Sequence, residues 1–459
     1  MSSARPLRVA IVGAGPAGIY AADILSKTEL DVQIDLLERL PAPFGLVRYG
    51  VAPDHPHIKL IIGALEKVLG RGDIRLLGNI DVGKDVTVAE LQQFYDVVIF
   101  ATGAISDVKM DIPGVDLDGS YGAADFVSWY DGHPDYPTDW PLNAQQIAVL
   151  GAGNVALDIA RVLVKHADSL LPTEIPDHVY QALKASPVTD VHIFARRGPA
   201  QAKFTPLELR EVGKQHDVDV VVYPEDFEFD AASEQAVAGS NQVKQVVNTL
   251  TDWTLIDPSE QTASRRLHLH FLHSPVEILG EDGKVVGLRT ERTKLNGDGT
   301  VSGTGEFTDW PAQAVYRAIG YYGTPISSLP FDYAGGVISN VEGRVISDDD
   351  GAHLPGIYAT GWIKRGPVGL IGSTKSDAAQ TINHLVSDVE ADSNALRTAT
   401  NPDPQAIVDF LTARGLELTD WAGWERLDAH ERELGAAQGR DRIKVVSRAE
   451  QTAIAKIRD

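Results

Sequence analysis

The 459-residue chain contains no cysteine. It can therefore form no disulfide, no thiolate zinc site, no CxxC redox pair and no cysteine-ligated iron-sulfur cluster, so any electron chemistry requires a bound cofactor. Long apolar runs are also missing. The purest one, residues 97–104, is broken by Thr102 and Gly103 and falls well short of the ~18 residues of a membrane span. Basic residues are scarce: 41 Lys and Arg against 64 Asp and Glu leave a net charge of −23, which disfavours nucleic acid and anionic membrane as partners. What is present is ordinary globular material, 43% hydrophobic and 23% charged, in a length that predicts two or three lobes. Arg5 and Arg8 before an apolar run superficially match a secretory leader, but a strand-turn-helix unit accounts for the same residues better, and the expected compartment is the cytoplasm.

The chain echoes itself. Residues 8–18 (RVAIVGAGPAG) and 146–156 (QIAVLGAGNVA) both run from a β-branched stretch through GAG into a helix, implying two dinucleotide-binding units. In the first, residues 9–12 are the strand, Gly13, Gly15 and Gly18 the turn, and 19–25 the helix. The next strand, 32–37, ends on Glu38, 20 residues beyond Gly18, where such a unit needs a carboxylate to accept from ribose hydroxyls. In the second, strand 147–150 leads into Gly151, Gly153 and Ala156, with helix 154–164 following. Its partner strand, 188–195, ends on Arg196 and Arg197 in place of an acid. Guanidinium groups there can pair bidentately with a 2′-phosphate, which selects NADP(H) over NAD(H).

Two more segments, 96–103 (DVVIFATG) and 356–362 (GIYATGW), return a strand to a nucleotide. The second lies so far along the chain that the first unit is expected to be discontinuous, residues 1–105 and 322–459, with the second unit, 106–321, inserted into it. Strand-like residues 314–319 mark the crossing back, residues 233–264 read as a polar, loop-rich insertion, and helices are expected over 407–414 and 421–434 with Gly415 as a cap. The predicted class is α/β with two Rossmann-like domains.

Residues 43–56 (PFGLVRYGVAPDHP) and 361–377 (GWIKRGPVGLIGSTKSD), with the paired fingerprints, the RRG at 196–198 and FTPLELRE at 204–211, resemble the adrenodoxin-reductase-like family of ferredoxin-NADP reductases over nearly the whole chain. The resemblance implies FAD in the first domain, NADPH in the second and a small iron-sulfur protein of ferredoxin type as acceptor. It assigns Ala17, Glu38, Leu46, Val82, Trp362, Gly369, Leu370 and Ile371 to FAD. To NADP it assigns Gly153, Asn154, Val155, Ala156, Arg196, Arg197, Glu208 and, beside the nicotinamide, Gly369. It further places His55 near the reacting rings, in a proton path with Glu211. Trp362 offers a flat apolar wall to a ring system. The family's basic docking cluster is thin here, because residues 233–252 hold only Lys244 as a basic residue.

His268, His270 and His273 lie in one strand-like run (RLHLHFLHSP). Alternation places His268 and His270 on one face and His273 on the other, with no cysteine or nearby carboxylate to complete a metal site, so a solvated strand face is expected and no metal is assigned. The activity expected is hydride transfer from NADPH to FAD, then single-electron delivery to the acceptor, by a monomer. The alternatives are the flavin-NADPH subunit of an amidotransferase-type complex and a non-enzymatic NADP-sensing flavoprotein. A dithiol reductase is excluded by the lack of cysteine.

Overall fold

The computed structural model describes residues 5–369, 371–391 and 396–458. They form two units, Met1–Ser106 with Asp131–Asp135 and Tyr321–Asp459, and Asp107–Tyr130 with Tyr136–Gly320.

The first unit is built on a seven-stranded sheet whose order runs Asn340–Val341, Arg344–Ile346, His353–Ala359, Val97–Phe100, Leu7–Val12, Val32–Glu38, Ile74–Gly78. From His353–Ala359 onward the pairings are parallel, with Val12 beside Phe100 and Leu37. Parallel strands must be covered on both faces, which is why these segments read as continuous apolar runs instead of alternating ones. Val9 and Ile11 pack against Ile19, Ala22 and Leu25 of the helix Pro16–Leu25 and against Ile382 and Leu385 of the helix Ile371–Ala391. Ala10 and Val12 point the other way, into a core with Leu91, Phe94, Ile407 and Leu411.

The second unit has a six-stranded parallel sheet in the order Ser120–Gly122, Ala314–Arg317, Gln146–Leu150, Asp190–Ala195, Arg265–Phe271, Val218–Val222. An antiparallel meander, His273–Glu281, Lys284–Leu295 and Val301–Pro311, packs Ile278, Val285 and Leu288 against Ala148, Leu150 and Phe194 of that sheet.

One expectation changes. The stretch 233–264 is largely helical, with helices Ala231–Gly239 and Asn241–Thr254 started by side-chain caps from Asp230 and Ser240. Its polarity hid a narrow apolar seam, since Val246, Val247 and Leu250 are buried while the other faces are solvated. Residues 314–317 are an interior strand of the second unit's sheet, and the chain passes back to the first unit just after it, between Gly320 and Tyr321, where the crossing was expected. Among the described residues no helix is long and apolar enough to cross a membrane.

Candidate nucleotide sites

The strand-to-helix turns are shaped by steric constraints, two in the first unit and one in the second. Gly13 adopts φ +110° and a Cβ on it would lie 2.5 Å from Ala101 O, in the ATG return; a Cβ on Gly18 would lie 1.9 Å from Gly13 O. Gly151 repeats the first constraint at φ +140°, where a Cβ would lie 2.2 Å from Ala318 O. Ala318-Ile319-Gly320 is thus the second unit's counterpart of Ala101-Thr102-Gly103, a match visible as A-x-G after a strand. Both turns end on helices whose N-caps, Gly15 and Gly153, make no side-chain capping bond. Pro16 brings no N–H and Ala156 N–H donates to Gly153 O at 3.0 Å; among the described residues the Ala17, Asn154 and Val155 amides are left for an external acceptor, the arrangement that cradles a pyrophosphate. A Cβ on Gly153 would meet nothing within 4 Å, so that glycine keeps space open instead of relieving a clash.

The loop after Glu38 lies against the first turn. Phe44, at φ +84°, donates its N–H to Ala14 O at 2.8 Å, and Gly45 approaches so closely that its Cβ would be 3.1 Å from Gly15 Cα. Glu38 is buried and accepts from Ala14 N–H at 2.8 Å and Leu40 N–H at 3.0 Å, one on each carboxylate oxygen. Burial pushes its carboxyl above the usual range, and the amides partly offset this. The carboxylate is fixed at the strand end with lone pairs to spare for ribose hydroxyls.

In the second unit, Asn154 Oδ1 accepts from Thr205 N–H at 2.9 Å, and Lys203 N–H donates to Ala152 O at 2.8 Å. These bonds tie FTPLELRE to the glycine turn, and Thr205 caps the helix Pro206–Val212 that carries Glu208 and Glu211. Arg196 and Arg197 are anchored through their backbones: Arg196 O accepts from Thr293 Oγ1 at 2.7 Å and Arg197 O from Leu272 N–H at 3.2 Å. Arg196 is exposed and Arg197 half-buried, and among the described residues neither guanidinium has an acidic partner. Two uncommitted cations sit where the first unit has a committed anion.

Residues 7–223 match the family described as Pyridine nucleotide-disulphide oxidoreductase. NADPH-ferredoxin reductase FprA of Mycobacterium tuberculosis is 42% identical over 97% of this chain and 98% of its own. The mitochondrial NADPH:adrenodoxin oxidoreductase of Arabidopsis thaliana is 37% identical over 97% and 95%. The solved structure of Mycobacterium tuberculosis FprA in complex with NADPH superimposes with a TM-score of 0.90, at 41% identity over 98% of this chain and 99% of that one. This chain belongs to the NADPH-ferredoxin and NADPH:adrenodoxin reductase family.

The other residues that the family motif singles out are distributed as follows. Leu46 opens the short helix Leu46–Tyr49 beside the Gly15/Gly45 contact. Val82 lies in the loop after Ile74–Gly78, bridged to Val86. His55 is buried and stands at the N-terminal end of the four-residue helix Pro56–Lys59, without a side-chain capping bond. Trp362 is half-buried and begins the helix Trp362–Arg365 after Gly361, at φ +75°, where a Cβ would lie 2.6 Å from the Ala17 side chain. Ala17 and Trp362 are thereby brought to one place by the tight approach of two glycine-containing turns. Gly369 is exposed at φ +87°. Leu370, and the side chain of Ile371, lie outside the described residues. Glu208 is buried near Arg161, 3.6 Å from it, and Arg161 also pairs with Asp158 at 2.9 Å. Val155 and Ala156 occupy the first turn of Asn154–Val164, and Ala156 is fully buried as the tolerated small residue.

The histidine run departs from expectation in this reductase. His270 is 2% exposed, and the rings of His192 and His268 stack 4.2 Å apart at 7°. His192 Nδ1 and His270 Nε2 are 3.0 Å apart. A carboxylate is present after all, since His268 Nε2–H donates to Asp190 at 3.0 Å while its Nδ1 accepts from Tyr223 OH at 2.8 Å. Parallel pairing sets His268 beside His192, and the face is covered because Trp310 of the meander lies 4.4 Å from the His270 ring. Alternation along one strand could not reveal this, because His192 and Trp310 come from distant segments. The nitrogens of His192, His268 and His270 lie within 4.8 Å of one another, yet stacked, nearly parallel rings do not aim their lone pairs at one point, so the arrangement is a hydrogen-bonded ladder and not a ligand set.

Proposed function

We propose that this protein is an NADPH-dependent flavoprotein reductase that passes electrons through FAD to a small iron-sulfur protein of ferredoxin type. FAD is assigned to the unit of Met1–Ser106, Asp131–Asp135 and Tyr321–Asp459, which takes in the short return at 131–135 that the expected bounds left in the other unit, and NADPH to that of Asp107–Tyr130 and Tyr136–Gly320. The observation that carries the reading is the asymmetry between the strand ends: a buried, amide-held Glu38 in one unit, two acid-free arginines in the other. Ribose hydroxyls suit the first and a 2′-phosphate the second. Relatives of nearly equal length named as NADPH-ferredoxin and NADPH:adrenodoxin reductases support the acceptor class.

Bound FAD supplies the conversion between a two-electron hydride donor and a one-electron acceptor. The chain's residues bind and orient. Glycine-turn amides hold pyrophosphates, Glu38 fixes one ribose, Arg196 and Arg197 select the phosphorylated nucleotide, and Trp362 walls the ring site. His55 and Glu211 are assigned proton handling. With no cysteine the chain holds no dithiol relay, so electrons leave directly to the partner. The reading is of a monomer acting in the cytoplasm, and size-exclusion chromatography with light scattering checks the first half of that statement.

The test is colour and bleaching. Purified protein should be yellow, bleach anaerobically with NADPH, and then reduce members of a panel of small iron-sulfur proteins. Yellow protein that stays oxidised in NADPH would show a sensor and not a reductase.

A further inference from the structure

The return turn at Thr360–Trp362 is held by one carboxylate from the following helix. Asp377, in the second turn of Ile371–Ala391, accepts the Gly361 N–H at 2.6 Å and the Thr360 hydroxyl at 3.2 Å, both on Oδ2. Its other oxygen faces Lys364 Nζ at 3.1 Å and Arg365 Nε at 3.5 Å. Side-chain exposure is 9% for Asp377 and 5% for Lys364. Lys364 donates further to Gln380 Oε1 at 2.7 Å and Thr381 Oγ1 at 3.2 Å, so all three ammonium protons are used. The clasp closes on the place where the chain has least freedom. Gly361 stands against Ala17 of the first glycine turn, and Thr360 N–H donates to Phe100 O at 2.8 Å.

A buried ion pair is weak evidence of a stabilising role, because an apolar pair of similar volume often serves as well. What an apolar pair cannot supply is an acceptor for the Gly361 amide. We propose that Asp377 is a positioning residue for the flavin site: by holding the Gly361 N–H it fixes the contact between the Thr360–Trp362 turn and the first glycine turn, and so the seat of Trp362. The inference rests on the reading of this unit as the FAD unit.

Two double variants separate charge from position. In Asp377→Asn with Lys364→Met the charges go but an acceptor oxygen remains. In Asp377→Leu with Lys364→Met the acceptor goes as well. FAD affinity of the apoprotein, read by quenching of flavin fluorescence, should stay within about threefold of wild type in the first pair. It should fall at least about tenfold in the second, about 1.4 kcal/mol for a lost hydrogen bond to a buried amide. The absorption bands of bound flavin should shift only in the second pair, and reductase kcat should drop there with the KM for NADPH unchanged. If the Leu pair does not fold, Asp377→Ala serves, with added formate, but not chloride of equal ionic strength, expected to restore FAD affinity. Equal FAD affinity and spectra in the two double variants, or no formate rescue in Asp377→Ala, would overturn the inference. A wild-type apoprotein that binds no FAD would instead overturn the underlying reading of the unit and the inference with it.

Discussion

At Gly13 and again at Gly151 the backbone passes so near the carbonyl of a returning strand, Ala101 and Ala318, that a Cβ would sit 2.5 and 2.2 Å from it; one strand further along, the two units diverge. In the first, Glu38 is buried with both oxygens already engaged by amides. In the second, Arg196 is exposed and Arg197 half-buried, and among the described residues neither has an acidic partner. The shared part is dictated by sterics that any Rossmann turn must satisfy. The divergent part is dictated by the ligand: a neutral ribose needs an immobile acceptor, whereas a dianionic 2′-phosphate needs mobile cations that close on it. Conserved shape and differing charge therefore report different things, the first the fold and the second the choice of nucleotide.

The comparison can be broken most severely at the glycines. Gly151→Ala should destabilise the second unit by about 3 kcal/mol, since it combines a disfavoured φ with a backbone clash. Gly153→Ala should leave urea unfolding unchanged within about 0.5 kcal/mol while weakening NADPH binding, because its Cβ enters open space. Equal unfolding free energies for the two variants would contradict the steric account.

Next in size is nucleotide choice. Replacing Arg196 and Arg197 together by Gln should raise the KM for NADPH by ~10² to 10³ and leave the KM for NADH nearly unchanged, from two charge-assisted bonds of ~1.5 to 3 kcal/mol each before desolvation. Parallel loss of both nucleotides in steady-state kinetics would make the arginines structural.

On the other side of the comparison, Glu38→Gln should weaken FAD by ~10- to 100-fold in equilibrium dialysis. It keeps an acceptor for the Ala14 amide but removes the charge offered to ribose. Retention of FAD equal to wild type would place the ribose elsewhere.

The remaining effect concerns acid. Burial, reinforced by neighbouring imidazoles, holds His192 down to about 3 and His270 to about 2, from an ordinary 6.5. Unfolded chain then binds protons that the folded ladder refuses, so the second unit should keep its full stability above pH 6.5 and lose it as pH falls toward 3. The slope is up to ~1.4 kcal/mol per pH unit for each histidine. Replacing both by Phe should flatten the profile of urea midpoint against pH between 6.5 and 5. An unchanged slope would show that the ladder admits protons without opening.

Much of this was legible in the chain. The helix Asn154–Val164 and the strands ending on Glu38 and on Ala195 lie where apolar pattern and glycine spacing put them, because a covered parallel strand and an uncapped helix start carry strong local signals. The helix Asn241–Thr254 was not legible, since three buried side chains in fourteen residues resemble a polar loop. The ladder was missed because its members come from Asp190–Ala195, Arg265–Phe271 and the meander, which only strand order makes neighbours. In the sequence Asp377 is only the last residue of a motif, and its hold on Gly361 is a contact across 16 residues.

By itself the sequence determined the two glycine turns, the charge at the end of each following strand and the absence of any thiol, since each depends on residue type and spacing within a single βαβ unit. Tertiary structure alone decided which return strand closes each turn, that Gly361 meets Ala17, and that aromatic and imidazole rings from three distant segments share a covered face. Those pairings arise from sheet order and close packing, which join segments whose local patterns contain no record of one another.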